Sequence, residues 1–212
     1  MNNKLESRPP LFVISGPSGA GKGTALDRIA GSGLARRVPT YTTRLPRPSE
    51  RDGIEYNFVS DDEFAKLRRD GQLIEYTRTY AESYYGSPRE LLRADELTPL
   101  VTELEPTGYV KVRQLSMRRV IGIFVTTRTE GELRARLAER DRGSDAESRI
   151  RTRRFQQTWA WVYDYILVNQ DREKFLAEID IVLRAELVKS RGMDYIAELQ
   201  KADSVRPYED EN

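Results

Sequence analysis

The stretch "GPSGAGKGT", Gly16 to Thr24, directly follows the apolar run "LFVIS", residues 11 to 15. Gly-x4-Gly-Lys followed by a hydroxyl residue is the pattern of a loop whose backbone N–H groups point inward and open into a helix. Those amides and the helix N-terminus hold phosphate oxygens, while the lysine neutralises charge near the transferred group. Gly16, Ser18, Gly19, Ala20, Gly21, Lys22, Gly23 and Thr24 are therefore candidate ligands of a donor nucleotide's phosphates. The context agrees, because an apolar run precedes the loop and Leu26, Ile29 and Ala30 share a helix face after it. A plain glycine-rich turn is the competing reading. One position departs from the pattern: Gly23 stands where Ser or Thr directly after the lysine would ligate magnesium, and Thr24 follows.

Three further apolar runs are "PLVTELE" (99 to 105), "VIGIFV" (120 to 125) and "YILV" (165 to 168). They are continuous rather than alternating, which suits strands covered on both faces of a parallel sheet. Helical spacing lies between and after them. Leu133 pairs with Leu137, and Phe175, Leu176, Ile179, Val182, Leu183 and Leu187 form the clearest stripe. Strand and helix alternate, so the chain reads as α/β. Residues 38 to 88 break the rhythm with Pro, Thr, Tyr and charge, and read as an inserted β-rich lobe of short strands and turns. Residues 134 to 154 form an arginine-dense helical insert. The core is then expected over 11–37, 89–133 and 155–187, between an N-terminal tail (1–10) and a polar extension (188–212) with a frayed end.

At 212 residues the chain can bury one large core with mobile inserts. Thirty-five basic against 34 acidic residues give a net charge of +1, so no global field draws it to nucleic acid or a membrane. It has no cysteine and no histidine, which removes thiol nucleophiles, disulfides and the commonest general base and zinc ligand. The N-terminus "MNNKLESRPP" lacks a signal-peptide apolar core, and no run approaches the ~18 apolar residues of a membrane span, so a cytoplasmic location is expected.

"TTRLPRPSERDGIEYNF", Thr42 to Phe58, closely resembles the acceptor-binding signature of guanylate kinases, TTR-x-PR-x-x-E-x-x-G-x-x-Y-x-F. Thr42, Thr43, Arg44, Pro46, Arg47, Glu50, Gly53, Tyr56 and Phe58 fill every fixed position. With "YYGSP" and "YDYILVNQD" the resemblance covers about residues 11 to 187, and the GKGT ending is similar to that of adenylate kinases and their relatives. The resemblance implies a P-loop NTPase-type parallel sheet flanked by helices, an inserted acceptor lobe and a helical arginine-rich lid. It also implies ATP as donor, Mg2+ as cofactor, and GMP or dGMP as acceptor. Arg44, Arg47, Tyr56 and Tyr85 map to the clamp on the acceptor phosphate, with Glu50 in the same signature. Guanidinium forks match phosphate oxygens bidentately, and phenols add donors.

Guanine offers N1–H and an exocyclic NH2 on one edge, so an ionised carboxylate accepts two hydrogen bonds that adenine cannot supply. The family glutamate with that role corresponds to Glu75, set one extra residue from the tyrosine pair. Thr40 stands where serine is usual, and Ser87 matches the second hydroxyl contact. "TELEPTG", Thr102 to Gly108, replaces a D-x-D-x-Q-G pattern whose carboxylates help hold magnesium and touch guanine. Glu103, with Thr24, is thus a metal candidate, partly through water, and Glu105 an acceptor contact. Each is a methylene longer than aspartate, which implies a reshaped pocket. Alternatively both merely end a strand, and Glu75 is an ordinary surface carboxylate.

Phosphoryl transfer spreads charge over three oxygens, which positioned cations answer. Lys22 and Arg44 are two such cations. The family lid pattern R-L-x-x-R-G...I-x-x-R adds Arg136, Arg142 and Arg153, with an apparent two-residue insertion near Arg140; a solvated charge face explains most other lid arginines. Asn169 follows the last strand where the family contacts the donor adenine, or is a plain turn asparagine. Trp159, Trp161, Tyr163 and Tyr165 read as core packing, because no basic stripe flanks them for base stacking. Three functions remain open: a GMP or dGMP kinase, the same chemistry on a modified or non-guanine nucleotide, and a silent guanylate-kinase-like module that grips a phosphopeptide. Intact Gly16, Gly21 and Lys22 count against the third.

Overall fold

The computed structural model describes residues 8–78, 83–93, 97–140 and 146–203. The apolar run before the glycine loop forms β1 (Leu11–Ser15), every residue of it buried. It lies at the centre of a five-stranded parallel sheet in the order β2 (Arg36–Arg37), β7 (Leu100–Glu103), β1, β8 (Val120–Thr126), β9 (Tyr165–Val168). Leu11 pairs in register with Leu100 on one side and Val120 on the other. Successive side chains point to opposite faces of a strand. Phe12 and Ile14 accordingly join a core under α1 (Lys22–Gly31) and α6 (Arg172–Asp203), with Leu26, Ile29, Phe175 and Ile179. Leu11 and Val13 join another with Leu100, Tyr109, Val112 and Phe124, under α3 (Pro106–Leu115).

The four apolar runs thus become four of the five core strands. The fifth, β2, is two arginines long, and no apolar run could announce it.

The second sheet has the order β4 (Tyr56–Phe58), β3 (Thr40–Thr42), β6 (Tyr84–Pro88), β5 (Leu73–Arg78). It lies inside the segment read as a β-rich insert. That segment also contains a helix that the strand-and-turn reading missed, α2 (Asp61–Arg69). A capping box starts it: Ser60 Oγ accepts from the Glu63 amide, and the Glu63 carboxylate accepts from the Ser60 amide at 2.8 Å. Phe64 anchors it, stacked on Tyr84 at 5.3 Å between ring centroids.

The arginine-dense insert falls on α4 (Glu130–Arg140) and α5 (Ala146–Gln157). Helix α6 runs unbroken across the expected boundary at residue 188. The aromatic cluster corrects one expectation. Tyr163 is core, stacked on Tyr109 at 4.4 Å, but Trp161 is 80% exposed. A short 3-10 turn, Ala160–Val162, turns Trp161 outward while Tyr163 fills the space over Tyr109. Among the described residues no helix is long and apolar enough to cross a membrane.

Gly122 in β8 makes the Tyr109 packing possible, since a Cβ there would lie 2.4 Å from Tyr109 Cζ. Gly122→Ala is expected to destabilise the fold by about 1–3 kcal/mol through overpacking, read as a lower urea midpoint at unchanged slope.

Candidate active site

The glycine loop is pressed between strand ends. Gly16 has φ 136°, and a Cβ on it would sit 2.0 Å from the Val125 carbonyl oxygen at the end of β8. Gly21 has φ 108°, and its Cβ would meet Asn169 Nδ2 at 2.2 Å. Both positions demand glycine for conformation and for space. Helix α1 begins at Lys22, and the amides of its first turn have no intrahelical partners, which makes a local anion site. Lys22 Nζ donates to the carbonyls of Gly16 (2.5 Å) and Pro17 (3.1 Å) and lies 3.5 Å from Glu103 Oε1. Ser18, Gly19, Gly23 and Thr24 line the cleft beside it, and Ala20 is buried behind.

Asn169 holds the loop from the far side. Its Nδ2 donates to the Ala20 carbonyl at 2.8 Å, its backbone N–H donates to Thr126, and its own carbonyl accepts from Arg136 at 2.7 Å. Its side-chain amide donor is thus engaged with the loop.

On the facing wall Arg44, Arg47, Tyr56 and Tyr85 come together. Arg44 makes a two-pronged pair with Glu50, NH1 to Oε2 at 2.8 Å and NH2 to Oε1 at 3.0 Å, and its Nε donates to the Tyr85 hydroxyl at 3.2 Å. Its guanidinium also stands 5.4 Å from the Tyr56 ring centre. Arg47 donates to the same Glu50 through its amide (2.8 Å) and its NH1 (3.1 Å). Glu50 therefore acts as the brace of two arginines. Burial works against its ionisation, but the Arg44 and Arg47 contacts outweigh it and hold its pKa below the usual value. Burial, reinforced by Glu103 and Tyr85, pushes the Tyr56 phenol well above its ordinary pKa, so it stays a proton donor.

Deeper in, Glu75 on β5 faces Ser87 on β6 across the sheet and accepts a hydrogen bond from the Ser87 hydroxyl. It packs against the start of α3, where a Cβ on Gly108 would lie 2.8 Å from Glu75 Oε1. Thr40, on β3, is nearly buried in the same wall. Glu105 sits at the N-cap of α3 and accepts from Gln156 Nε2 at 2.5 Å. Burial raises the pKa of both glutamates, opposed at Glu75 by Ser87 and Lys111 and at Glu105 by Lys22 and Gln156.

The arginines of the expected lid divide. Arg136 lines the cleft. Arg153 is 6% exposed and donates to the Thr127 carbonyl at 3.2 Å, and it is not among the cleft-lining residues. Arg142 lies outside the described residues. Arg134 and Arg154 pair with Glu130 on the surface.

The loop and the arginine-tyrosine wall share a single cleft of about 1160 Å³. A family model described as "Guanylate kinase" matches residues 8–186, most of the chain. The chain belongs to the guanylate kinase family. It is 34% identical over 195 residues to a guanylate kinase of Wolbachia sp. subsp. Brugia malayi, covering 89% of this chain and 99% of that protein. It is 36% identical over 194 residues to one from Synechococcus sp., covering 83% and 85%. A crystal structure of guanylate kinase from Anaplasma phagocytophilum superposes with TM-score 0.67 at 27% identity, covering 85% of this chain and 87% of that one. The P-loop α/β architecture expected from the sequence is that of this relative.

Sequence reasoning passed over Gln156, Arg37, Asp27, Thr77 and Arg172, which also line the cleft. Gln156 follows Arg153 by one helical turn, a signal that the arginine-rich composition hid. Among the described residues no cluster of three or more His, Cys, Asp or Glu could cage a metal. A hard cation that keeps several waters and leans on substrate phosphates needs only one or two protein oxygens, and Thr24 and Glu103 on the cleft wall fit that demand.

The raised Glu105 pKa has a stability consequence with a definite sign. The folded protein holds that proton at pH values where the unfolded chain has released it, so the stability it contributes falls as pH rises from the ordinary carboxyl range through the raised value. Glu105→Gln removes the titration. Its stability relative to the parent is expected to be most favourable at pH 8 and to decline toward pH 5, measured by urea unfolding at each pH.

Proposed function

We propose that this chain is an ATP-dependent nucleoside monophosphate kinase that moves the γ-phosphoryl group of ATP to GMP or dGMP, giving ADP and GDP or dGDP. One observation carries the reading: two anion pockets of different construction, a main-chain loop and a guanidinium-phenol clamp, line a single cleft. A phosphopeptide-binding module has no need of the first.

In this role the loop amides from Gly16 to Thr24 hold the donor phosphates, and Lys22 exchanges its contacts with the Gly16 and Pro17 carbonyls for the transferred group. Arg44, Arg47, Tyr56 and Tyr85 hold the acceptor phosphate in line, with Glu50 fixing both guanidiniums. Arg136, beside Asn169 and the loop, adds positive charge where the three equatorial oxygens develop theirs. Arg153 serves only if its bond to Thr127 breaks, a change that closure of the lid over both substrates provides. Mg2+, bound with ATP, supplies further charge neutralisation; Thr24 and Glu103 would hold it, partly through water. The acceptor phosphate is already anionic, so no strong base is required, which suits a chain without histidine. Such an enzyme works where ATP and GMP are, in the cytoplasm.

Glu75 and Ser87 support guanine as the base, since an ionised Glu75 accepts from N1–H and the exocyclic amine. A coupled assay of ADP formation over a panel of monophosphates tests the proposal. GMP and dGMP should turn over; if both are inert while another monophosphate reacts, the guanine assignment is wrong, and if none reacts, the kinase reading is wrong.

Lys22→Ala is expected to abolish turnover with little change in acceptor affinity by calorimetry. Glu75→Gln is expected to weaken discrimination for guanine by about 1–3 kcal/mol, the effect of one lost hydrogen-bonding partner; an unchanged nucleotide preference removes Glu75 from the base site.

A further inference from the structure

We propose that Gln156, on the lid helix α5, is a specificity-determining residue that reads the acceptor base, its carboxamide oxygen accepting a hydrogen bond from a purine 2-amino group. The inference rests on the kinase reading and adds a contact to its acceptor pocket.

Gln156 lines the cleft and is only 2% exposed. Its Nε2 donates to Glu105 Oε2, while its Oε1 is buried and has no hydrogen-bond partner. Glu105 dictates this orientation. The Nε2–Oε2 hydrogen bond sets the amide nitrogen against the carboxyl group, and the oxygen is left on the other side without a partner. Glu105 is itself fixed by its place at the N-cap of α3, with φ −68° and ψ 158°. Turning Gln156 round would give up its hydrogen bond to Glu105 Oε2.

A buried acceptor with no partner is rare in a native structure, and one carried by a cleft-lining residue has an evident use when the cleft fills. The surroundings define what fills it. Glu75 packs against Gly108, three residues into α3 from Glu105, so three groups presenting acceptor oxygens gather around the first turn of that helix. A base edge with N1–H and a 2-amino group offers three protons to such a site. An edge with an acceptor at N1 offers a lone pair to lone pairs. Because Gln156 belongs to α5, recognition of the 2-amino group also draws the lid helix toward the acceptor.

The test compares GMP with IMP, which lacks only the 2-amino group, by calorimetric binding to the full chain and to Gln156→Met, a change that keeps length and removes both the oxygen and the nitrogen that binds Glu105. The parent should prefer GMP. In Gln156→Met, GMP affinity should fall about tenfold more than IMP affinity, the loss of one hydrogen bond, while the IMP change reports what the lost Glu105 contact costs any purine. Equal losses for both nucleotides, an unaltered GMP/IMP ratio, or a parent that binds both alike overturns the inference while leaving the kinase reading in place. A parent that binds neither overturns both. If Gln156→Met does not fold, Gln156→Asn, which withdraws the same oxygen by one methylene, is read against the same outcomes.

Discussion

A loop that binds phosphate with main-chain amides must stay bare, and here the neighbours enforce that bareness. The carbonyl end of β8 occupies the place of a side chain at Gly16, and the amide of Asn169 occupies it at Gly21. The loop is thus shaped by the ends of the two strands on one side of β1, and those strands are in place only because the sheet is parallel and every β8 residue is buried. The Asn169 side chain then closes the arrangement by binding the Ala20 carbonyl. The main chain of an anion pocket made this way is already shaped before a ligand arrives, and Lys22 is the side chain that must move; fixed dipoles stabilise developing charge most effectively when they are set in advance.

The facing wall solves a different problem. Two guanidiniums held close together repel, and exposed ion pairs contribute little by themselves. A single carboxylate, Glu50, binds the Arg44 guanidinium in forked geometry and Arg47 through one guanidinium nitrogen and its backbone amide, and the Tyr85 hydroxyl and Tyr56 ring limit the remaining freedom of Arg44. Two arginines and one glutamate leave one net positive charge, so the wall remains attractive to an anion while its donors keep fixed directions. The two walls therefore suit partners of different mobility: a phosphate chain laid on a rigid loop, and a terminal phosphate gripped by side chains.

The glycine loop, the TTR-x-PR signature and the four apolar strands were legible in the sequence because each is a local code, in which residue type and spacing suffice. What depended on distant neighbours was not. Helix α2 did carry a local signal, Ser60 with Glu63, but the surrounding Thr, Tyr and Pro composition argued for strands. Strand β2 is too short for periodicity to register. Trp161 shares its alternation with Tyr163, yet a 3-10 turn separates their fates. Gln156 gains its interest only from Glu105, 51 residues earlier in the chain, and the grip of Asn169 on Ala20 spans 149 residues. Arg153 matched a lid pattern, while its hydrogen bond to Thr127 reflects how α5 packs in this conformation.

The topology also sets the order in which the chain can fold as it leaves the ribosome. Strand β1 emerges early, but both of its partners lie beyond residue 99. At ordinary synthesis rates roughly 5–20 s separate β1 from the end of β8. The four-stranded sheet, whose pairings all fall between residues 40 and 88, can close during that wait. The smaller sheet is therefore free to form first, while an all-apolar strand tethered ahead of it stays open to holding factors or to misassociation until the nascent chain supplies its neighbours.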